Sequence, residues 1–241
     1  VRNLQDFDIM ATYIGGQKVY DVSEGPCFSA QPCSPINQFE CLPISPAQIS
    51  ARIPGDEFRI IVAHDGEIHT SSLWCKITRN QQGEIIASPR EDILKMVVVN
   101  RYQNAPPAVA FIRGFGLQHG AIASTIAHDS HNIIAVGTDD DLIVRAINLL
   151  IEHQGGICSV NHQEELVLPL PVAGLMSTLP GEEIALRYQQ LDQAAKAMGS
   201  GLRAPFMTLS FMALLVIPEL KLSDKGLFDG TRFEFVNLAR K

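Results

Sequence analysis

Apolar positions fall into short β-rich runs separated by turn residues, interrupted by two longer stretches at helical period. The runs at 58–63, 72–78, 84–87, 96–99, 108–112, 157–160 and 165–168 are rich in branched and aromatic residues. Gly, Pro, Asn or Asp bound them, so each predicts a strand. Turns at Asp65-Gly66 and over 80–83 link the first of them. Ser88-Pro89-Arg90-Glu91 has capping-box spacing with Pro at the first helical position, which predicts a helix start. Thr138-Asp139-Asp140-Asp141 is a second such box, its acidic residues suited to the positive end of a helix dipole. From it Leu142, Ile143, Ala146, Ile147 and Leu150 form one apolar stripe, predicting a helix that stops at Gly155-Gly156. Residues 180–198 predict a long amphipathic helix closed by Gly199.

Nearer the start, residues 8–14 and 17–20 flank Gly15-Gly16 and read as a β-hairpin. A lone hairpin is marginal in water, so it should join a sheet made elsewhere. Residues 25–54 carry Pro26, Pro32, Pro35, Pro43, Pro46 and Pro54 with few periodic apolar positions, predicting an extended connector. The expected organisation is terminal strands over 1–24, a Pro-rich linker over 25–54, and one domain over 55–241. That domain is of α/β class, a mixed α+β arrangement in which helices pack on a mixed sheet. The chain opens at Val1 in mid-pattern, which predicts a piece of a longer polypeptide.

With 241 residues the chain can bury a core without disulfides. Its net charge of −7 excludes a nucleic-acid backbone as main partner. The longest apolar stretch, 206–217, is too short to span a bilayer and reads as core. Five cysteines, an odd number with no Cys-x-x-Cys pair, support neither a disulfide framework nor a zinc ribbon. Cys27, Cys33 and Cys41 cluster at spacings that fit no common metal pattern. Reduced thiols in a cytoplasmic protein are the expectation.

The densest polar segment is His128-Asp129-Ser130-His131-Asn132, set between two apolar runs. Histidine titrates near neutral pH, and an adjacent carboxylate can orient its ring. Asp, Ser and Asn also make local backbone bonds, so a polar turn accounts for the same residues. As a metal site the segment lacks further ligands. Arg113-Gly114-Phe115-Gly116 follows a strand; Arg113 could pair with an anion, yet no third glycine completes a phosphate motif. His64, His69, His119, His153 and His162 stand singly and read as solvated. Glu219 and Asp224 beside Lys221 and Lys225 read as surface ion pairs.

Taken together, Arg113-Gly114-Phe115-Gly116, residues 120–138 around the histidine segment, residues 168–177 and residues 205–220 resemble the C-terminal region of bacterial adenine deaminase, of the amidohydrolase superfamily. The likeness covers roughly 55–238, with Leu215 where the family pattern carries proline. The hairpin resembles the closing strands of the small β-sandwich beside amidohydrolase barrels. The resemblance implies hydrolysis of adenine to hypoxanthine and ammonia by a metal-activated hydroxide. The divalent metal, manganese, iron or zinc, would be held mainly in a barrel outside this chain, because no His-x-His occurs here. No metal is expected to be fully ligated by these residues, and the chain alone should be inactive. Implied partners are adenine, the metal-binding barrel portion of the same enzyme, and further copies in a homo-oligomer, with neither nucleic acid nor membrane. On this reading His128, Asp129 and His131 are candidate catalytic residues, and Arg113, Ser130 and Asn132 candidate substrate contacts. Two alternatives remain: a non-catalytic oligomerisation domain, and an independent metal- or ligand-binding module using His128 and His131.

Overall fold

The computed structural model describes residues 1–29 and 34–240. Pro32 of the expected connector and Cys33 of the cysteine cluster lie outside the described residues. Contacts divide the chain into two compact units, Val1–Ser34 and Pro35–Lys241. In the first, β1 (Ala11–Ile14) and β2 (Gln17–Asp21) pair antiparallel, and β3 (Gly25–Pro26) adds to β2. Gly15 and Gly16 both take positive φ, as a tight hairpin turn demands.

The second unit is built on an eight-stranded sheet. Its strands are β4 (Phe58–Ala63), β5 (Thr70–Cys75), β6 (Leu94–Val99), β7 (Ala108–Arg113), β8 (Ala121–Ser124), β9 (Ile133–Gly137), β10 (Gly156–Val160) and β11 (Glu165–Pro169). They lie in the order β11-β10-β8-β9-β6-β7-β4-β5, antiparallel except for the parallel pair β4–β7. The helices are α1 (Asp140–Glu152), α2 (Gly181–Ala197) and α3 (Pro205–Phe211). A small sheet of β12 (Leu220–Ser223), β13 (Gly226–Asp229) and β14 (Glu234–Phe235) completes the unit. The mixed α+β class expected from the sequence is what forms. Among the described residues no helix is long and apolar enough to cross a membrane.

Strand periodicity explains the layers. Along β6, Leu94, Met96 and Val98 enter one core while Val97 and Val99 enter another. Ile134 and Val136 of β9 likewise oppose Ile133 and Ala135. Successive side chains point to opposite faces, so a strand covered on both sides reads as an unbroken apolar run. α1 covers one face, against β8, β9 and β10; α2, α3 and the β12–β13 hairpin cover the other.

Four expectations change here. The strand expected over 84–87 does not form, and Ile85 makes only isolated bridges to Ala51 and Arg79. Within residues 35–54, Cys41, Ile44 and Ile49 are buried on the α1 face while Ala51 enters the opposite core, and Asn148 of α1 exchanges two hydrogen bonds with the Ile44 backbone. The helix expected at Ser88 amounts to one 3-10 turn, Pro89–Glu91. Asp92 then turns left-handed at φ 53°, and Ile93 bonds back to Ser88, which ends the helix before it begins. Lys221 is no surface ion-pair member: it is fully buried, its Nζ donating to the Ile68 carbonyl at 2.6 Å. α1 does form after the second capping box, with Asp139 rather than Thr138 as cap; its carboxylate accepts from Leu142 N at 2.9 Å.

Candidate functional site

The His128–Asn132 segment is the loop between β8 and β9, and it is tied down at both ends. At its start Thr125 Oγ1 accepts the Gly156 N–H at 2.9 Å and donates to the Gly174 carbonyl at 2.5 Å. At its end buried Asn132 accepts the Arg101 N–H through Oδ1 at 3.3 Å. Between them Tyr102 donates its hydroxyl to the Ser130 carbonyl at 2.9 Å, and His131 N bonds Ala127 O at 2.6 Å. His131 sits at φ 54°, a left-handed conformation that a non-glycine residue keeps only when its surroundings enforce it. The His128–Asp129 peptide is cis.

The loop splits its side chains between two directions. His128 turns inward, its ring stacked on Phe211 of α3 with centroids 5.1 Å apart, and its backbone N–H donates to the Ser210 carbonyl at 3.1 Å. His131 meets His128 edge-on at 5.9 Å. Its Nδ1 is buried and has no hydrogen-bond partner among the described residues. Burial first, then the positive charges of His128 and Arg101, lowers the His131 pKa from its ordinary value, so the neutral ring is favoured. Asp129 and Ser130 turn outward, onto a pocket of about 560 Å³. Its opposite walls come from the turn after α3 and from the small sheet: Val216, Asp224, Phe228, Phe233 and Phe235 among them.

Arg113 does not join this group. It ends β7 beside the start of β6, where Leu94 pairs with Ile112, whereas the loop adjoins the far end of β6, where Val99 pairs with Ile133. Five strand steps separate those ends, about 16 Å. Arg113 instead donates to the Glu91 carbonyl at 3.1 Å. The glycines after it serve the fold: Gly114 and Gly116 both donate their N–H to the Asp92 carboxylate at 2.7 Å. At Gly114, φ 104°, a Cβ would stand 2.2 Å from the Ala63 carbonyl oxygen, so no other residue fits without movement. Of the single histidines, His64 bonds Ser71 Oγ at 2.8 Å and the other four are exposed.

The residues that complete the loop's surroundings carried no local signal in the sequence. Phe211 lies in an apolar stretch indistinguishable from core, and Tyr102 and Arg101 follow β6 in an ordinary turn. Phe228, Phe233 and Phe235 become a cluster only when β13 pairs with β14: Phe228 contacts Phe233 and Phe235 edge-on at 5.3 and 5.2 Å. As to metals, no group of three or more His, Cys, Asp or Glu side chains among the described residues is placed to hold an ion.

Residues 67–234 match the family model described as "Adenine deaminase C-terminal domain". The chain belongs to that family. It is 47% identical to the adenine deaminase of Methanosarcina barkeri, across 99% of this chain and 44% of that protein. To the adenine deaminase of Salinibacter ruber it is 45% identical, across 98% of the chain and 43% of the relative. A Sulfurovum adenine deaminase is 57% identical over a shorter stretch, 68% of the chain and 31% of the relative. The chain therefore spans less than half the length of these relatives.

Proposed function

We propose that this chain is the C-terminal portion of an adenine deaminase and that it presents the β8–β9 loop to a catalytic centre carried by the rest of the enzyme. The observation that carries this reading is identity of 47% sustained over 99% of the chain with a protein named adenine deaminase. The reaction is adenine plus water to hypoxanthine plus ammonia. The divalent metal implied for the family, whether manganese, iron or zinc, does not fit the residues of this chain. Two histidines with rings crossing at 67° and no third donor among the described residues make no tetrahedral set. Its ligands are assigned to the barrel portion, and the loop works on the substrate side.

Loop geometry supports that division. His131, left-handed and with burial favouring its neutral ring, holds the loop in one preformed shape. Asp129 and Ser130, exposed beside it, can reach the polar edge of a purine, while His128 fixes the loop against α3 rather than touching substrate. Asn132 holds the loop through the Arg101 backbone, and Arg113 acts in the fold, remote from this face. The first unit's strands, β1 to β3, fit the closing edge of a β-sandwich beside the barrel. Free thiols at Cys27, Cys41, Cys75 and Cys158 support a reducing, cytoplasmic setting. Homo-oligomerisation belongs to the same reading.

The test is the full-length enzyme carrying His128→Ala together with His131→Ala. Misplacing a substrate-orienting loop should lower kcat/KM by roughly tenfold or more in a variant that still folds, with only the small drop in melting temperature due to the lost His128–Phe211 stack. Unchanged kcat/KM in a normally folded variant would reduce the loop to a structural turn.

A further inference from the structure

The pocket beside the loop has a composition that the loop alone does not explain. Three phenylalanines wall it; Phe233 and Phe235 are 71% and 52% exposed, while Phe228 beneath them is buried. Asp129, Ser130, Ser223, Asp224 and Lys225 line the same pocket. Neither carboxylate nor the ammonium belongs to an ion pair among the described residues. Asp224 is oriented by Asn100, which donates through Nδ2 at 2.8 Å and leaves the second carboxylate oxygen free. A surface destined for the core of a protein interface is depleted of charge. A pocket of about 560 Å³ that sets aromatic faces against unpaired acceptors and a donor suits a small flat heterocycle with a polar rim.

We propose that this pocket is a purine-binding site within the chain itself, which rests on the reading of the chain as part of an adenine deaminase. The base stacks on the exposed faces of Phe233 and Phe235. Its exocyclic amino group donates to Asp129 and Asp224, and Lys225 or Ser130 donates to a ring nitrogen. This pattern separates substrate from product: adenine offers two N–H donors at position 6, whereas hypoxanthine offers a carbonyl oxygen that two carboxylates repel. The pocket therefore holds adenine in preference to hypoxanthine and favours product departure.

The test is calorimetric titration of the 241-residue chain with adenine, hypoxanthine and indole. Saturable binding of adenine, weaker for hypoxanthine and absent for indole, is expected. Phe235→Ala should weaken adenine about tenfold, the magnitude of one lost aromatic stack. Asp129→Asn should bring the two purines toward equal affinity. Both residues are exposed, so thermal melts will match the parent chain. No saturable adenine binding, binding untouched by both variants, or equal binding of indole would overturn the site; the last would mark an apolar surface covered by other protein. If the full-length enzyme deaminates adenine while this chain binds no purine, the proposed activity stands and this site alone falls.

Discussion

Lys221 shows how far a single residue can depart from its neighbours' pattern. Its ammonium is fully buried in β12 with one carbonyl acceptor, and burial lowers its pKa to about 8. Below that pH the amine is charged in both folded and unfolded chains, and the fold bears a constant desolvation cost. Between pH 8 and the ordinary value of 10.5 the folded amine sheds its proton while the unfolded one keeps it. The unfolded state then binds more protons, so this residue's contribution to stability rises with pH across that window. Lys221→Met should be more stable than the parent by roughly 1–3 kcal/mol at pH 7, with the gap closing toward pH 10. Urea midpoints measured against pH for the two proteins decide it, and a variant less stable at pH 7 contradicts the account.

Elements show what the sequence could and could not reveal. Strands were legible because sheet faces impose their period on Val, Ile and Phe; even β6, buried on both sides, announces itself as an apolar run. Its Lys95 stays hidden in that run, since only the fold brings the Asp140 carboxylate to its ammonium at 2.5 and 2.7 Å. Capping chemistry at Ser88 resembles a helix start because it is local, and it cannot register that Asp92 reverses the chain four residues later. Residues 35–54 escape notice for a different reason: a segment laid over a sheet buries Cys41, Ile44 and Ile49 without any period. The histidine loop was readable as a polar interval between strands. Its depth against Phe211 and its pocket were not, because those contacts join residues far apart in the chain. Asp92 is the testable element joint, its carboxylate holding the turn after β7 by two backbone donors. Asp92→Ala should cost about 2–4 kcal/mol, from two charge-assisted bonds and a left-handed position alanine tolerates poorly. Asp92→Asn, which keeps the backbone preference and an oxygen acceptor, should recover part of that loss in chemical denaturation.

For the whole molecule, the compact unit beginning at Pro35 is the relevant folding body. A polypeptide starting at Pro35 should unfold cooperatively by circular dichroism. One starting at Gly55 loses the burial of Ile44 and Ile49 and the Ile49 carbonyl that accepts from Lys95 at 3.2 Å. At 1.5–3 kcal/mol for each fully buried aliphatic side chain, that is roughly 3–6 kcal/mol, a large share of a domain's stability. Equal urea midpoints for the two polypeptides would show that 35–54 is a connector after all.

The placement of β6 also has a consequence in time. Strands β4 to β7 are all present once residue 113 has been made, and they can join as the β5-β4-β7-β6 half of the sheet. The other edge of β6 pairs with β9, whose residues 133–137 come later. As the chain emerges from a ribosome it thus carries an open edge of Leu94, Met96, Val97, Val98 and Val99 until β9 follows the histidine loop out. An apolar, unpaired edge is a template for association with other chains. Lys95, still without Asp140, is the one charge on that strand, and during those moments it acts as a gatekeeper before it becomes part of the core.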